Sequence, residues 1–106
     1  MKVYVYIVVR QDLKKEWQLV QACHAALEVG YGSPEPSPED GSTHLVVLSA
    51  KDKFELDAIA ETLEYEGITY KMFKEGYCSI GNTALATNPS AKIEKGILKK
   101  LPLFKY

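Results

Sequence analysis

The chain has 106 residues, of which 46% are hydrophobic and 25% are charged, a composition that excludes a disordered chain. This length fits one core, so we expect residues 1–106 to form a single domain. No apolar run is long enough to cross a bilayer, and the apolar start of the chain lacks the cleavage pattern of a signal peptide. We therefore predict a cytoplasmic protein with no membrane partner. Cys23 and Cys78 are too few for the disulfide framework of a secreted protein, which predicts two reduced thiols.

The net charge of −1 conceals an uneven distribution of charge along the chain. Residues 16–66 contain eleven acidic residues and two lysines, whereas the rest of the chain contains eleven basic residues and three acidic ones. A fold that gathers the basic segments on one side would create a basic face for a polyanion. The alternative is that these lysines are scattered over a solvated surface, and the sequence alone does not decide between the two.

The first half of the chain predicts a strand, a helix and a loop. Residues 3–9 are rich in valine and tyrosine and predict a buried strand. After a polar connection, residues 16–31 predict a helix that ends at Gly30 and Gly32, and the proline-containing stretch 32–42 predicts a surface loop. The helix has apolar residues at helical spacing that we expect to face the sheet: Leu19, Val20, Cys23, Ala26 and Leu27.

The second half predicts two further helices and three strands. Strands are expected at 44–49, 68–73 and 83–87, and a helix at 52–66 with an inner face of Leu56, Ile59, Ala60 and Leu63. Asn88 and Pro89 are typical of the start of a third helix, which Pro102 would end. In that helix Ile93, Ile97 and Leu101 are expected to point inward and Lys92, Lys95 and Lys99 outward, with the tail 103–106 docking on the core.

The resulting order, β-α-β-α-β-β-α, predicts an α/β protein with a three-layer α/β/α architecture. Strand–helix–strand units favour parallel pairing and the short turn between the last two strands favours antiparallel pairing, so the four-stranded sheet is mixed. Functional sites in open α/β sheets gather beyond the carboxyl ends of strands. Two loops occupy such positions, 10–15 and 74–83.

The first helix also has a polar face, because Trp17, Gln21, His24 and Glu28 follow helical spacing. His24 has no second histidine nearby, so we expect a structural hydrogen bond from it and predict no metal and no cofactor. The sequence contains no glycine-rich phosphate loop, no CxxC pair and no nucleophile elbow. Residue patterns alone therefore indicate only a small α/β domain with a candidate basic face.

Several segments resemble the type 2 peptidyl-tRNA hydrolases of archaea and eukaryotes. Arg10, Asp12-Leu13 and a helix with Gln21 and His24-Ala25-Ala26 are similar to the family's opening, and Thr83-Ala84-Leu85 is similar to its fourth strand. Asn88-Pro89 and the ending 103–106 resemble its later segments. The resemblance implies metal-independent cleavage of the ester between a peptide and the 3′ end of tRNA. Water would attack with help from a lysine, an acidic residue and threonine hydroxyls.

Carried onto this chain, the resemblance implies a set of site residues with clear departures from the family. Glu75 would position water, Thr83 and Ser79 would donate to the oxyanion, and Lys14 or Lys15 would supply positive charge. The family's lysine at the start of the helix is Trp17 here, and its aspartate and its glycine–arginine–threonine correspond to Glu75 and to residues 76–79. The remaining assignments are structural or substrate-binding roles for Arg10, Asp12, Gln21, His24 and Trp17, and tRNA backbone contacts for Lys92, Lys95 and Lys99.

Two other functions remain open from the sequence. A non-catalytic module would bind RNA or a protein on the same fold, and Trp17 beside lysines would suit base stacking. The same tryptophan would equally suit a place in the core. A homodimeric scaffold is the other alternative, since seven tyrosines are many for this length and tyrosine is enriched at interfaces.

Overall fold

A computed structural model of the protein describes residues 2–33 and 43–105, apart from the side chain of Cys78. Two 3₁₀ turns, Tyr77–Ser79 and Ile97–Lys100, accompany the main elements. The loop predicted over 32–42 lies outside the described residues except for Gly32, which ends a helix, and Ser33. The elements are β1 (Val3–Arg10), α1 (Lys15–Gly32), β2 (Thr43–Ala50), α2 (Lys53–Tyr65), β3 (Tyr70–Glu75) and β4 (Gly81–Thr87).

The four strands form one mixed sheet in the order β2-β1-β4-β3. β1 pairs in parallel with β2 and antiparallel with β4, which pairs antiparallel with β3. Successive side chains of a strand point to opposite faces, so Val5, Ile7 and Val9 pack under α1 while Tyr6 and Val8 pack under α2. The predicted mixed sheet with helices on both faces is confirmed.

Helix α2 follows its predicted pattern closely. The Asp52 side chain caps it by accepting a hydrogen bond from the Glu55 backbone N–H at 2.9 Å. The predicted inner face of Leu56, Ile59, Ala60 and Leu63 is buried. Gly67 follows the helix with φ +76°, a conformation that glycine adopts without strain.

Helix α1 lies on the sheet with the opposite face from the one expected. Leu19, Val20 and Leu27 are 44%, 51% and 53% exposed, Cys23 is exposed as well, and Ala26 alone of the predicted set is partly buried in the core. Small alanines let the helix approach Val5, Ile7 and Val9 closely, and the glutamine amides find hydrogen-bond partners there. The residues that α1 buries are Gln18, Gln21, Ala22, Ala25 and Val29.

The predicted third helix is wrong. Ser90 exchanges two backbone hydrogen bonds with Tyr4, at 2.7 and 3.1 Å, and the Asn88 N–H donates to the Thr69 carbonyl at 2.9 Å. These hydrogen bonds occupy backbone N–H and C=O groups that would otherwise form the hydrogen bonds of a helix. Gly96, with φ +99°, separates this stretch from the 3₁₀ turn Ile97–Lys100, which is all the helical structure among residues 88–105.

The end of the described chain packs as expected despite the missing helix. Ile93, Ile97 and Leu101 lie partly buried against the α2 side of the core. The Phe104 N–H donates to the Val47 carbonyl at 2.9 Å, and the Phe104 ring packs against the α1 side of the core. The tail therefore pairs with β2, the strand at one edge of the sheet.

Candidate functional site

The two loops singled out in the sequence meet at one edge of the sheet. β1 ends there at Arg10, β3 ends at Glu75, and β4 begins at Gly81. This is the carboxyl end of β1 and β3, where open α/β sheets commonly place their sites.

Arg10 ties the two loops together. Its Nε and Nη2 atoms donate to the two carboxylate oxygens of Asp12 at 2.9 and 2.8 Å, and Nη1 donates to the carbonyls of Ile80 and Asn82 at 2.9 and 3.0 Å. The Asp12 hydrogen bond raises the pKa of Arg10, and the same bond lowers the pKa of Asp12. Arg10 is buried and its donors are directed at protein groups, so this pair holds the start of β4 to the end of β1.

Gln18 fixes the loop that precedes α1. Its buried side-chain amide donates to the carbonyls of Gln11 and Leu13, at 3.1 and 2.6 Å. These bonds set the path of the backbone just before Lys14, whose side chain is exposed. This role of Gln18 is not predicted by the sequence, because both carbonyls belong to an irregular loop.

A chain of side-chain hydrogen bonds runs from the core to the surface at the site. The Thr83 hydroxyl donates to Gln21 Oε1 at 2.7 Å, and Gln21 Nε2 donates to Glu75 Oε2 at 3.2 Å. Thr83 is fully buried, Gln21 is 4% exposed, and Glu75 is half-buried at the rim. Gln21 is therefore the link between two residues that the resemblance assigned to catalysis.

An irregularity in the sheet turns Thr83 toward α1. Phe73 pairs with Ala84 and Lys74 pairs with Asn82, so Thr83 is the extra residue of a β-bulge in β4. In a regular strand Thr83 and Ala84 would point to opposite faces, yet Ala84 packs under α1 and Thr83 bonds to Gln21 of α1. Bulges commonly re-aim a side chain in this way beside functional sites.

Glu75 is held as a carboxylate. The Gln21 amide is the main cause that lowers the pKa of Glu75 below its ordinary value of 4.5, followed by the Tyr77 backbone N–H, which lies 3.3 Å from Oε1. The Gly76 backbone N–H and the charge of His24 lower the pKa of Glu75 further. Glu75 is consequently ionised at neutral pH, with part of its surface open to solvent.

The polar face of α1 contacts β3 and the following turn at three successive levels. The Trp17 ring meets Tyr77 edge-on with centroids 6.1 Å apart, and the His24 ring stacks on Phe73 at 4.5 Å. The Gln21–Glu75 hydrogen bond lies between these two aromatic contacts. This face, and not the more apolar one, therefore positions the candidate site.

Ser79 lies in the 3₁₀ turn with φ +55°, a value uncommon for any residue other than glycine. Its side chain is exposed. Strained backbone of this kind is a recurrent feature of functional loops.

A second anchor joins the start of β4 to α2. Asp57 accepts hydrogen bonds from the Asn82 side-chain amide at 3.0 Å and from Lys53 Nζ at 2.9 Å, and these two bonds, in that order, lower the pKa of Asp57. Gly81 has φ +79°, and a Cβ there would lie 3.2 Å from Lys53 Cε, so this position favours glycine. Asp57 and Asn82 are 25 residues apart in the chain, so local sequence patterns do not indicate this link.

The lysines assigned to RNA binding do not converge on the site. Lys14 and Lys15 are exposed at the start of α1, next to the site. Lys92 and Lys95 are also exposed, but their segment runs from the Ser90–Tyr4 pairing to Gly96, which lies against Glu66 at the far end of α2. Lys99 is exposed in the 3₁₀ turn beside α2, so these three lysines lie on segments apart from the two loops of the site.

Within residues 2–33 and 43–105, no helix combines the length and apolar character needed to cross a bilayer. The same part of the chain contains no group of three or more histidine, cysteine, aspartate or glutamate side chains placed to hold a metal ion.

Comparison with known proteins identifies the family. Residues 3–104 match the model of the family described as "Peptidyl-tRNA hydrolase PTH2". The human protein named "Putative peptidyl-tRNA hydrolase PTRHD1" is 36% identical over 114 residues, which cover 94% of this chain and 81% of that protein. The mouse protein of the same name is 35% identical with the same coverage. The fold, the site at the strand ends and these matches agree that the chain belongs to the PTH2 peptidyl-tRNA hydrolase family.

Proposed function

We propose that the protein hydrolyses the ester bond of a peptidyl-tRNA or an N-blocked aminoacyl-tRNA with water oriented by Glu75. The observation that carries this proposal is the hydrogen-bonded chain from Thr83 through Gln21 to Glu75. It holds an ionised carboxylate, partly open to solvent, at the edge of the sheet where open α/β proteins commonly place their sites. No metal or cofactor takes part in the proposed reaction.

The chemical step needs only water and the ester. A water molecule hydrogen-bonded to Glu75 adds through its oxygen to the ester carbonyl carbon, and the tetrahedral intermediate collapses by releasing the ribose hydroxyl of tRNA. The proton lost by water reaches the leaving oxygen, so the products are a free peptide acid and tRNA. Because the pKa of Glu75 is lowered, its main contribution is to orient and polarise the water.

Thr83 acts in this proposal by positioning other residues. Its buried hydroxyl donates its proton to Gln21, so it is not directed at substrate. Instead, the exposed Ser79 hydroxyl would donate a hydrogen bond to the developing oxyanion, and the positive charge of Lys14 or Lys15 would stabilise it. This changes the role expected for Thr83 while keeping it essential to the site.

The acceptor end of tRNA would lie over the start of α1. Tyr77 is 65% exposed, and with Trp17 it forms an aromatic corner two residues from Glu75 in the chain. The base of the terminal nucleotide, whose ribose carries the ester, would stack there. The tRNA backbone would contact Lys14 and Lys15 first, whereas Lys92, Lys95 and Lys99 would contact a more distant part of the molecule.

A non-catalytic RNA-binding module remains the second candidate. The observation that favours it is Trp17, which occupies the position of the family's helix-start lysine and makes an aromatic contact with Tyr77. Such a module would keep the stacking surface and lose turnover.

Hydrolysis of N-acetylaminoacyl-tRNA by the purified protein tests the proposal. Wild type should release the N-acetylamino acid, Glu75→Gln should lose most of this activity, and Glu94→Gln should retain it because Glu94 is exposed in the segment 88–96, away from the site. If wild type shows no turnover but binds tRNA in a salt-dependent manner, the binding module is the correct function. Equal activity of wild type and Glu75→Gln would contradict the mechanism.

A further inference from the structure

The segment 51–54, which leads from β2 into α2, presents an aromatic side chain to solvent beside two lysines. Phe54 is 81% exposed, and Lys51 and Lys53 precede it in the chain. The Lys53 ammonium lies 5.8 Å from the centroid of the Phe54 ring, within the range of a cation–π contact. Proteins bind single-stranded nucleic acid with this combination of an exposed aromatic ring and neighbouring cations.

The segment 51–54 adjoins the candidate site from the α2 side of the sheet. The Lys53 Cε atom is 3.2 Å from the position that a Cβ on Gly81 would occupy, and Gly81 is two residues after Ser79. The loop from Tyr77 to Gly81 therefore contacts α1 through the Trp17 ring and α2 through Lys53. Exposed aromatic rings, Tyr77 and Phe54, consequently lie on both sides of this loop.

Lys51 lies next to the other loop of the site. The Ala50 carbonyl accepts a hydrogen bond from the Gln11 N–H at 2.8 Å, so the residue after Ala50 adjoins the loop that carries both lysines of the proposed site. Lys51 is exposed, and neither of the two ion pairs within residues 2–33 and 43–105 includes it. Its positive charge therefore faces solvent close to the site, where it could contact a phosphate.

The acidic side chains near Phe54 are engaged with donors of their own helix. Asp52 accepts a hydrogen bond from the Glu55 N–H at 2.9 Å, and Glu55 accepts one from the Lys51 N–H at 3.0 Å. Asp57 pairs with the Lys53 ammonium at 2.9 Å. These contacts offset part of the repulsion that the three carboxylates would exert on a phosphate.

We infer that the segment 51–54 binds the unpaired nucleotides that precede the terminal nucleotide of tRNA, with a base stacked on Phe54 and a phosphate at Lys51. This rests on the proposed function, which places the terminal base at Trp17 and Tyr77. The 3′ end of tRNA is a short single strand, so its bases are free to stack on protein side chains. Stacking on an aromatic ring requires no particular base, which suits a substrate class that includes many tRNAs.

Binding of two RNA hairpins tests this subsite without any chemical step. The hairpins share one stem, and only the first has an unpaired 3′ strand ending in CCA. In fluorescence anisotropy wild type should bind the first hairpin more tightly, and Phe54→Ala should weaken that binding about fivefold or more while leaving the blunt hairpin unaffected. Phe54→Trp should keep the tighter binding. The matched control is Tyr65→Ala, at a 93% exposed aromatic residue at the opposite end of α2, which should bind both hairpins as wild type does.

Salt dependence isolates the phosphate contact. Lys51→Ala should reduce the slope of log Kd against log salt by about 0.7 for the first hairpin, whereas Lys105→Ala, at an exposed lysine on the tail beside β2, should leave the slope unchanged. If wild type binds the unpaired strand through Phe54 but hydrolyses no ester, the subsite is supported and the hydrolase function fails. If wild type hydrolyses the ester but Phe54→Ala binds both hairpins as wild type does, the subsite alone is overturned. Equal binding of the two hairpins by wild type would also overturn it.

Discussion

Replacing Thr83 by valine should both destabilise the fold and alter Glu75. Valine keeps the approximate size of threonine but cannot donate to Gln21 Oε1, which would remain buried without its partner at 2.7 Å. A buried polar atom left unpaired costs about 1–3 kcal/mol. For a domain near 100 residues each kcal/mol lowers Tm by roughly 4–8 °C, so a loss of about 2 kcal/mol corresponds to a fall of roughly 8–16 °C. Gln21 would also lose its fixed orientation, and the pKa of Glu75 should rise toward 4.5.

Thermal unfolding and carboxyl NMR titration measure the two effects, and Thr87→Val is the matched control. Thr87 is also fully buried, and its hydroxyl accepts a hydrogen bond from the Tyr6 backbone N–H at 3.0 Å. Thr87→Val should therefore lower Tm by a similar amount while leaving the pKa of Glu75 unchanged. The reasoning is refuted if Thr83→Val lowers Tm by less than about 2 °C, or if both variants shift the pKa of Glu75 equally.

Three further outcomes follow from the loops around the site. Arg10→Lys should cost about 2–4 kcal/mol in urea unfolding, because lysine cannot reproduce the fork to Asp12 and to two carbonyls; a cost below 1 kcal/mol would contradict the anchoring role. Ser79→Gly should stabilise by about 0.5 kcal/mol and Ser79→Val should destabilise by more than about 1 kcal/mol, because φ is +55° there; the opposite ranking would contradict the strain. The lowered pKa of Asp12 gives stability that is present above the unfolded pKa and is lost as pH falls through the folded one. The Tm difference between wild type and Asp12→Asn should accordingly shrink between pH 7 and pH 3, and a constant difference would argue against this pair.

Sequence periodicity predicted the sheet and α2 because the residues there meet a single physical requirement, burial of apolar side chains in the core. In β1 and α2 the most apolar positions are also the buried ones. In α1 two demands compete, since close packing on the sheet selects Ala22 and Ala25 while the site needs Gln21 and Gln18. The larger apolar residues are left exposed to solvent, so periodicity alone predicts the wrong face of this helix as the buried one.

The C-terminal segment and parts of the site depend on contacts that are distant in sequence. Asn88 and Pro89 are a sound local signal for a helix, but pairing with Tyr4, 86 positions away from Ser90, favours extended backbone instead. Gln21 was noted in the sequence, yet its role required the bulge at Thr83, which no local pattern indicates. The link between Asp57 and Asn82 likewise joins α2 to the start of β4, which only the folded chain brings together.

The pH dependence of single-turnover hydrolysis of N-acetylaminoacyl-tRNA tests the central claim most directly. If Glu75 acts as an ionised carboxylate held by Gln21, the rate should be steady near neutral pH and fall in acid below pH 4.5, through the lowered pKa of Glu75. Gln21→Leu removes the main cause of that lowered pKa, so it should move the acid limb to higher pH and reduce the plateau rate. An acid limb at the same pH in both proteins would contradict the account, and so would the absence of turnover by wild type.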